Sequence, residues 1–188
     1  MFWFDLPLTI ILAFVFHLIL RDSLIDNLPS SLNRRLVTFK IFNWLKYFKE
    51  NYFVVIISCI IGGATHILWD SFTHENGQFV QSLEGLRNTL TIAGYSIPIY
   101  KLLQHFSTII GALIIIYSLF QFPQDKKVVN HKTILPFWFS VGLIALVIVT
   151  ARLLAGLDYT HYGDLIVTII TSVLVGLVLT SVLKPSIT

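Results

Sequence analysis

The sequence predicts an all-α fold, a polytopic membrane helix bundle of about five transmembrane helices with a short hairpin-like outer loop, in one domain over residues 1–188. Three observations predict it. Hydrophobic residues make up 55% of the chain and charged residues only 12%, against about 25% charged in an average soluble domain. Mean hydropathy is +0.79. The apolar residues gather in runs long enough to cross a hydrocarbon core of about 30 Å, where a helix satisfies every backbone group within itself. This pattern excludes an ordinary soluble globule, a disordered tail and a disulfide scaffold.

The first predicted span runs from Phe4 to Leu20 and starts almost at Met1. Asp5 stands where a secretory signal carries Lys or Arg, and no small-residue cleavage site follows, so no removable leader is expected. Asp5, before Leu6-Pro7, is read either as a cap of the first helix or as part of a polar site. Between spans one and two, Ile41, Phe42, Trp44, Leu45 and Phe48 oppose Asn43, Lys46 and Glu50. That stripe suits a helix lying in the interface with Trp44 and Tyr47 at headgroup depth, or a plain extension of the second span.

The second span is Tyr52 to Trp69, and Gly62, Gly63 and Ala64 within it read as a close helix-packing surface. Beyond it, Leu90 and Ile92, then Tyr95, Ile97 and Ile99, alternate about Ala93-Gly94. This predicts a hairpin with Pro98 on an edge strand, placed as a lid over the outer mouth of the bundle. Spans three, four and five are Leu102 to Phe122, Ile134 to Leu154 and Leu165 to Leu183.

The formal charge of +3 does not point to nucleic acid, because the basic residues sit in short stretches between apolar runs. They orient the chain instead. Ten Lys and Arg fall in loops one and three and at the C-terminus, and three fall on the other side. By the positive-inside rule the N-terminus is outside and the C-terminus cytoplasmic, with membrane lipids the expected surroundings. The lone cysteine, Cys59, excludes an intramolecular disulfide and reads as a small buried hydrophobe.

The most informative stretch is His66-Ile-Leu-Trp-Asp70-Ser-Phe-Thr-His74-Glu75-Asn-Gly77. His66, Asp70 and His74 are spaced four apart and fall within an arc of about 80° on one helix face. A His and a carboxylate at that spacing can share one metal ion. His74 lies about 12 Å beyond His66 along a continuous helix, so it joins the same ion only if the helix ends first. Ser71, Thr73, Asn76 and Gly77 favour such an end. The predicted topology adds Asp5, His105, Asp158, His161 and Asp164 to the same outer side, leaving His17 and His131 toward the cytoplasm. Ionisable groups at membrane depth mark function by default. Nitrogen and oxygen donors without thiolates suit zinc, manganese or iron.

The run GGATHILWDSFTHENGQFV, the later IPIYKLLQHFSTIIGAL and the opening FWFDLP resemble the bacterial membrane family called domain of unknown function 4184. That family is distantly similar to predicted membrane-bound metal-dependent hydrolases. The resemblance implies a multi-pass bacterial inner-membrane protein. His66 and Asp70 match the family's His-x3-Asp element, and His74 and His105 match further family histidines. The Ser-His-Pro and Pro-Asp elements that usually precede Phe-Asp-Leu-Pro are absent here, so the chain is expected to be a fragment or to have lost part of the polar site.

The resulting expectation is a membrane-embedded metal-dependent hydrolase of an ester or phosphoester, with a lipid-like substrate. A divalent metal, zinc first, is held by His66, Asp70, His74 and His105, and Asp70 and Glu75 act as catalytic carboxylates. Two alternatives stand beside it: a non-enzymatic transport or interaction protein, and a haem protein using His66 and His105.

Overall fold

The computed structural model describes residues 2–92, 94–125, 134–157 and 162–183. The expected Asp158, His161, His131, Lys126, Lys127, Lys132 and Lys184 lie outside the described residues, as does Ala93 of the hairpin turn. Among the described residues the fold is all-α apart from one two-stranded ribbon, and five helices are long and apolar enough to cross a membrane. The chain divides into two compact units, Met1–Ile10 with Phe48–Gln121, and Ile11–Tyr47 with Phe122–Thr188.

The first helix starts earlier and runs further than its sequence suggests. Helix α1 covers Phe2–Val15, a π-helical turn follows over Phe16–Leu20, and α2 continues over Arg21–Asp26. Asp5 is therefore inside the helix and is no N-cap; its carbonyl accepts the Thr9 hydroxyl at 2.7 Å. The Arg21-Asp22 pair, which reads as the end of the span, does not end it. Arg21 is 8% exposed, and its guanidinium is occupied by Asp22 at 2.6 Å and by the Phe42 and Lys40 carbonyls at 2.7 and 3.3 Å. With its charge matched by Asp22 and three of its five N–H groups bonded, it is carried inside the helix packing.

Helix α3 spans Ser30–Leu36 and passes into a 3-10 turn over Val37–Ile41. Asn43 caps the next helix, its Oδ1 accepting the Lys46 N–H at 3.0 Å. That helix, α4, spans Trp44–Thr73 and contains the second span. The interfacial stripe and the span are thus one element, kinked at Asn51, whose φ of −131° and ψ of 26° leave the helical region. Trp44 is 7% exposed and packs on Phe14 and His17, so it is a packing residue in place of a headgroup anchor.

In the first unit, α5 (Gln78–Ser82) and α6 (Glu84–Arg87) follow the end of α4. The predicted hairpin forms as β1 (Thr89–Ile92) and β2 (Tyr95–Pro98), antiparallel with Leu90 opposite Ile97 and Ile92 opposite Tyr95. Gly94 takes a φ of 85°, a region that favours glycine, and so permits the tight reversal. The hairpin leads into α7 (Ile99–Gln121), which is tied to α4 by the Trp69 indole donating to Ser107 Oγ at 3.3 Å.

In the second unit, α8 (Leu135–Leu154) and α9 (Tyr162–Leu183) pack on each other, and Leu20 joins Phe137, Val141 and Leu177 in a small core. The polarity is that of a membrane protein. Four of the six buried positions of α9, Thr168, Ser172, Gly176 and Thr180, form one row four residues apart, with Leu177 and Ser181 beside it, while Ile166, Val167, Ile170, Leu174 and Leu179 are exposed. Small residues let two backbones approach where lipid supplies no hydrophobic drive. A Cβ at Gly176 would sit 2.8 Å from the Val141 carbonyl oxygen, whereas one at Gly62 or Gly63 would meet nothing within 4 Å. Among the described residues, the close approach expected at Gly62 and Gly63 is therefore not made there, and one is made at Gly176.

Candidate functional site

The His66–Gly77 stretch forms the last turns of α4 and the bend beyond it. The helix ends at Thr73, and the His74 N–H still donates to the Asp70 carbonyl at 3.0 Å. The Gly77 N–H then closes a turn onto the His74 carbonyl at 2.8 Å. Gly77 is extended, with φ −66° and ψ 140°, so its role is space and not backbone freedom. A Cβ there would run into the Ser71 carbonyl oxygen and lie 2.9 Å from that of His74. Phe72 and Phe79 stack at 4.2 Å and 10°, and the Gln81 amide donates to the Glu75 carbonyl at 2.7 Å. Val80 and Thr73 are buried beneath this cover. The bend is fixed by packing on one side and hydrogen bonds on the other.

On the open side, the Asp70 carboxylate lies between two imidazoles. His66 Nε2 is 3.4 Å from Oδ2, and His74 Nδ1 is 3.6 Å from Oδ1. His74 Nδ1 also lies 3.4 Å from Thr73 Oγ1. The His66 and His74 side chains are 75% and 54% exposed, and Asp70 is 38% exposed. The sequence spacing predicts this shared face, and the His74 N–H bond to the Asp70 carbonyl at 3.0 Å keeps His74 one helical turn from Asp70.

A divalent ion would need these donor atoms within bonding reach of one point. Bonds of 2.0–2.2 Å to a tetrahedral zinc place neighbouring donor atoms about 3.4 Å apart. The His66–Asp70 separation fits that edge. The two histidines, however, address different oxygens of Asp70, and among the described residues no three His, Cys, Asp or Glu side chains converge to hold one ion. His105 is exposed on α7 and makes no hydrogen bond or ion pair among the described residues. Glu75 is exposed on the bend. The described residues do not fit the three protein ligands of a catalytic zinc; they supply one His–carboxylate pair of the four-residue set.

Asp5 does enter the same neighbourhood. With Thr9 of α1 and Cys59, Gly63 and Ile67 of α4 it lines a cavity of about 30 Å³. Gly63 and Ile67 lie three residues before His66 and Asp70, so the cavity is on the adjacent ridge of the helix. Its size suits about one water molecule. Cys59 is half-buried there with a free thiol.

A second polar cluster has no counterpart in the motif reading. His17, Arg21, Asp22, Lys40 and Asn43 surround a chamber at the other end of the first helix. The only sequence signal is the Arg21-Asp22 pair, which reads as an ordinary helix end.

The family described as domain of unknown function (DUF4184) matches residues 1–182. No curated protein and no solved structure matches the chain.

Proposed function

The chain belongs to the DUF4184 family, whose description assigns no activity, and from that premise we propose that it is a membrane-embedded hydrolase of an ester or phosphoester in a lipid-like substrate. The carrying observation is the Asp70 carboxylate facing His74 Nδ1 on one oxygen and His66 Nε2 on the other. An imidazole whose Nδ1 faces a carboxylate leaves Nε2 free to take a proton, which is the arrangement of a general base and its orienting acid. His74 Nε2 removes a proton from water as the hydroxyl oxygen attacks the carbonyl carbon or phosphorus. The same proton then passes to the departing alkoxide. Asp70 holds the ring and balances the imidazolium, and the gaps of 3.4 and 3.6 Å tighten when substrate excludes water. Glu75, beside His74 on the bend, is the second carboxylate within the turn.

Zinc remains part of the proposal only as an ion that His66 and Asp70 would hold. Bound there, it would supply a polarised water. The proposed location is the bacterial inner membrane, and the Lys and Arg asymmetry supports an orientation with this site at the outer surface.

The test is turnover of p-nitrophenyl esters and bis-p-nitrophenyl phosphate by the full chain in lipid nanodiscs, with and without chelator. His74→Gln is expected to lower turnover by about 10²–10⁴-fold. No turnover of either substrate class overturns the hydrolase reading. Retention of zinc by the protein, lost in His66→Ala with Asp70→Ala, supports the metal; equal zinc in both removes it.

A further inference from the structure

The polar cluster at the far end of the first helix sits beside an apolar cavity of about 220 Å³ walled by Leu24, Leu28, Leu36 and Phe39. The polar chamber itself measures about 330 Å³ and is lined by Asp22, Lys40 and Asn43. His17, Arg21 and Phe42 line both, so the two chambers adjoin. One is oily and one is charged.

The backbone is unusual at this point. The π-helical turn over Phe16–Leu20 carries His17, and such turns are rare and cluster at functional sites. His17 stacks on Trp44 at 4.4 Å and 12°, and its buried Nδ1 has no hydrogen-bond partner among the described residues. Arg21 uses three of its five N–H groups on Asp22, Phe42 and Lys40. Lys40 gives one N–H to Asp26 at 2.7 Å. Arg21 and Lys40 thus line the polar chamber, each ion-paired, with Asp22 and Asp26 respectively, and each with N–H groups left over.

We propose that these joined chambers bind one anionic phospholipid, its phosphate against Arg21, Lys40 and Asn43 and part of an acyl chain between Leu28 and Phe39. A phosphodiester offers several acceptor oxygens to the guanidinium fork and the ammonium. A free phosphate would leave the apolar chamber unfilled, and a zwitterionic headgroup would bring its own cation against Arg21 and Lys40. This site does not rest on the hydrolase reading, because none of its residues belongs to the His66–His74 face.

The experiment is native mass spectrometry of the full chain after exposure to vesicles of equal phosphatidylglycerol and phosphatidylcholine. The wild type is expected to retain one phosphatidylglycerol with about tenfold preference, as one charge-assisted contact supplies. Asn43→Asp keeps the helix-capping oxygen but adds a negative charge, and is expected to abolish the preference without moving the melting temperature. Leu28→Trp fills the oily chamber and is expected to lose the lipid altogether. Absence of preference in the wild type, or an unchanged preference in Asn43→Asp, overturns the proposal. Displacement of the lipid by millimolar inorganic phosphate shows a phosphate site and overturns it as well.

Discussion

The imidazole of His17 lies flat on the indole of Trp44, ring centroids 4.4 Å apart and planes 12° from parallel. The pair joins the π-helical turn of the first span to the start of α4, and Phe14 meets the same indole edge-on at 5.5 Å. Trp44 is the residue on which this end of the first helix is seated. Trp44→Ala is expected to destabilise the protein by about 3–5 kcal/mol, as for other buried Trp truncations. Trp44→Phe keeps a stacking ring and is expected to lose less than half of that. Reversible unfolding in detergent measures both.

Gly77 and the Gly62-Gly63 pair make opposite predictions for the same substitution. Gly77→Ala puts a methyl group against the Ser71 and His74 carbonyls and is expected to cost about 1–3 kcal/mol as an overpacked site. Gly62→Ala and Gly63→Ala, with open space around them and helical backbone, are expected to be neutral or to stabilise by up to about 1 kcal/mol. Melting temperatures of the three variants decide. Equal destabilisation in all three would falsify the assignment of Gly77 to a close contact.

Gly176 is expected to be the least tolerant position of α9. A Cβ there lies 2.8 Å from a backbone oxygen of α8, and backbone cannot move aside as a side chain can. Gly176→Ala is expected to lower stability by about 1–3 kcal/mol and Gly176→Val by more. Disulfide cross-linking between cysteines introduced on the two helices reads the separation directly, and cross-linking as fast as in the parent would contradict it.

Asp70→Asn removes the charge that faces both imidazoles while keeping the side chain's size. Turnover of the nanodisc-embedded protein is expected to fall by about 10²–10⁴-fold, with no loss of melting temperature because the carboxylate is 38% exposed. A fall in melting temperature with turnover intact would make Asp70 a structural residue.

Five apolar runs and the i, i+4, i+8 spacing of His66, Asp70 and His74 are local properties, written in the order of residues. They determine the all-α class, the number of helices apolar enough to cross a membrane, and the shared face of the site. The hairpin is legible for the same reason, since alternation and a glycine turn need only neighbouring residues. Tertiary structure alone decided the rest. Arg21 continues a helix that its charge would end, because carbonyls of residues 40 and 42 reach its guanidinium. The small-residue contact falls at Gly176 instead of Gly62 and Gly63, because a close approach depends on which helix lies opposite. His66 and His74 address different oxygens of Asp70, a division that spacing alone does not state. Hydropathy and spacing state what a segment must bury or expose; only the packing of distant segments states against what.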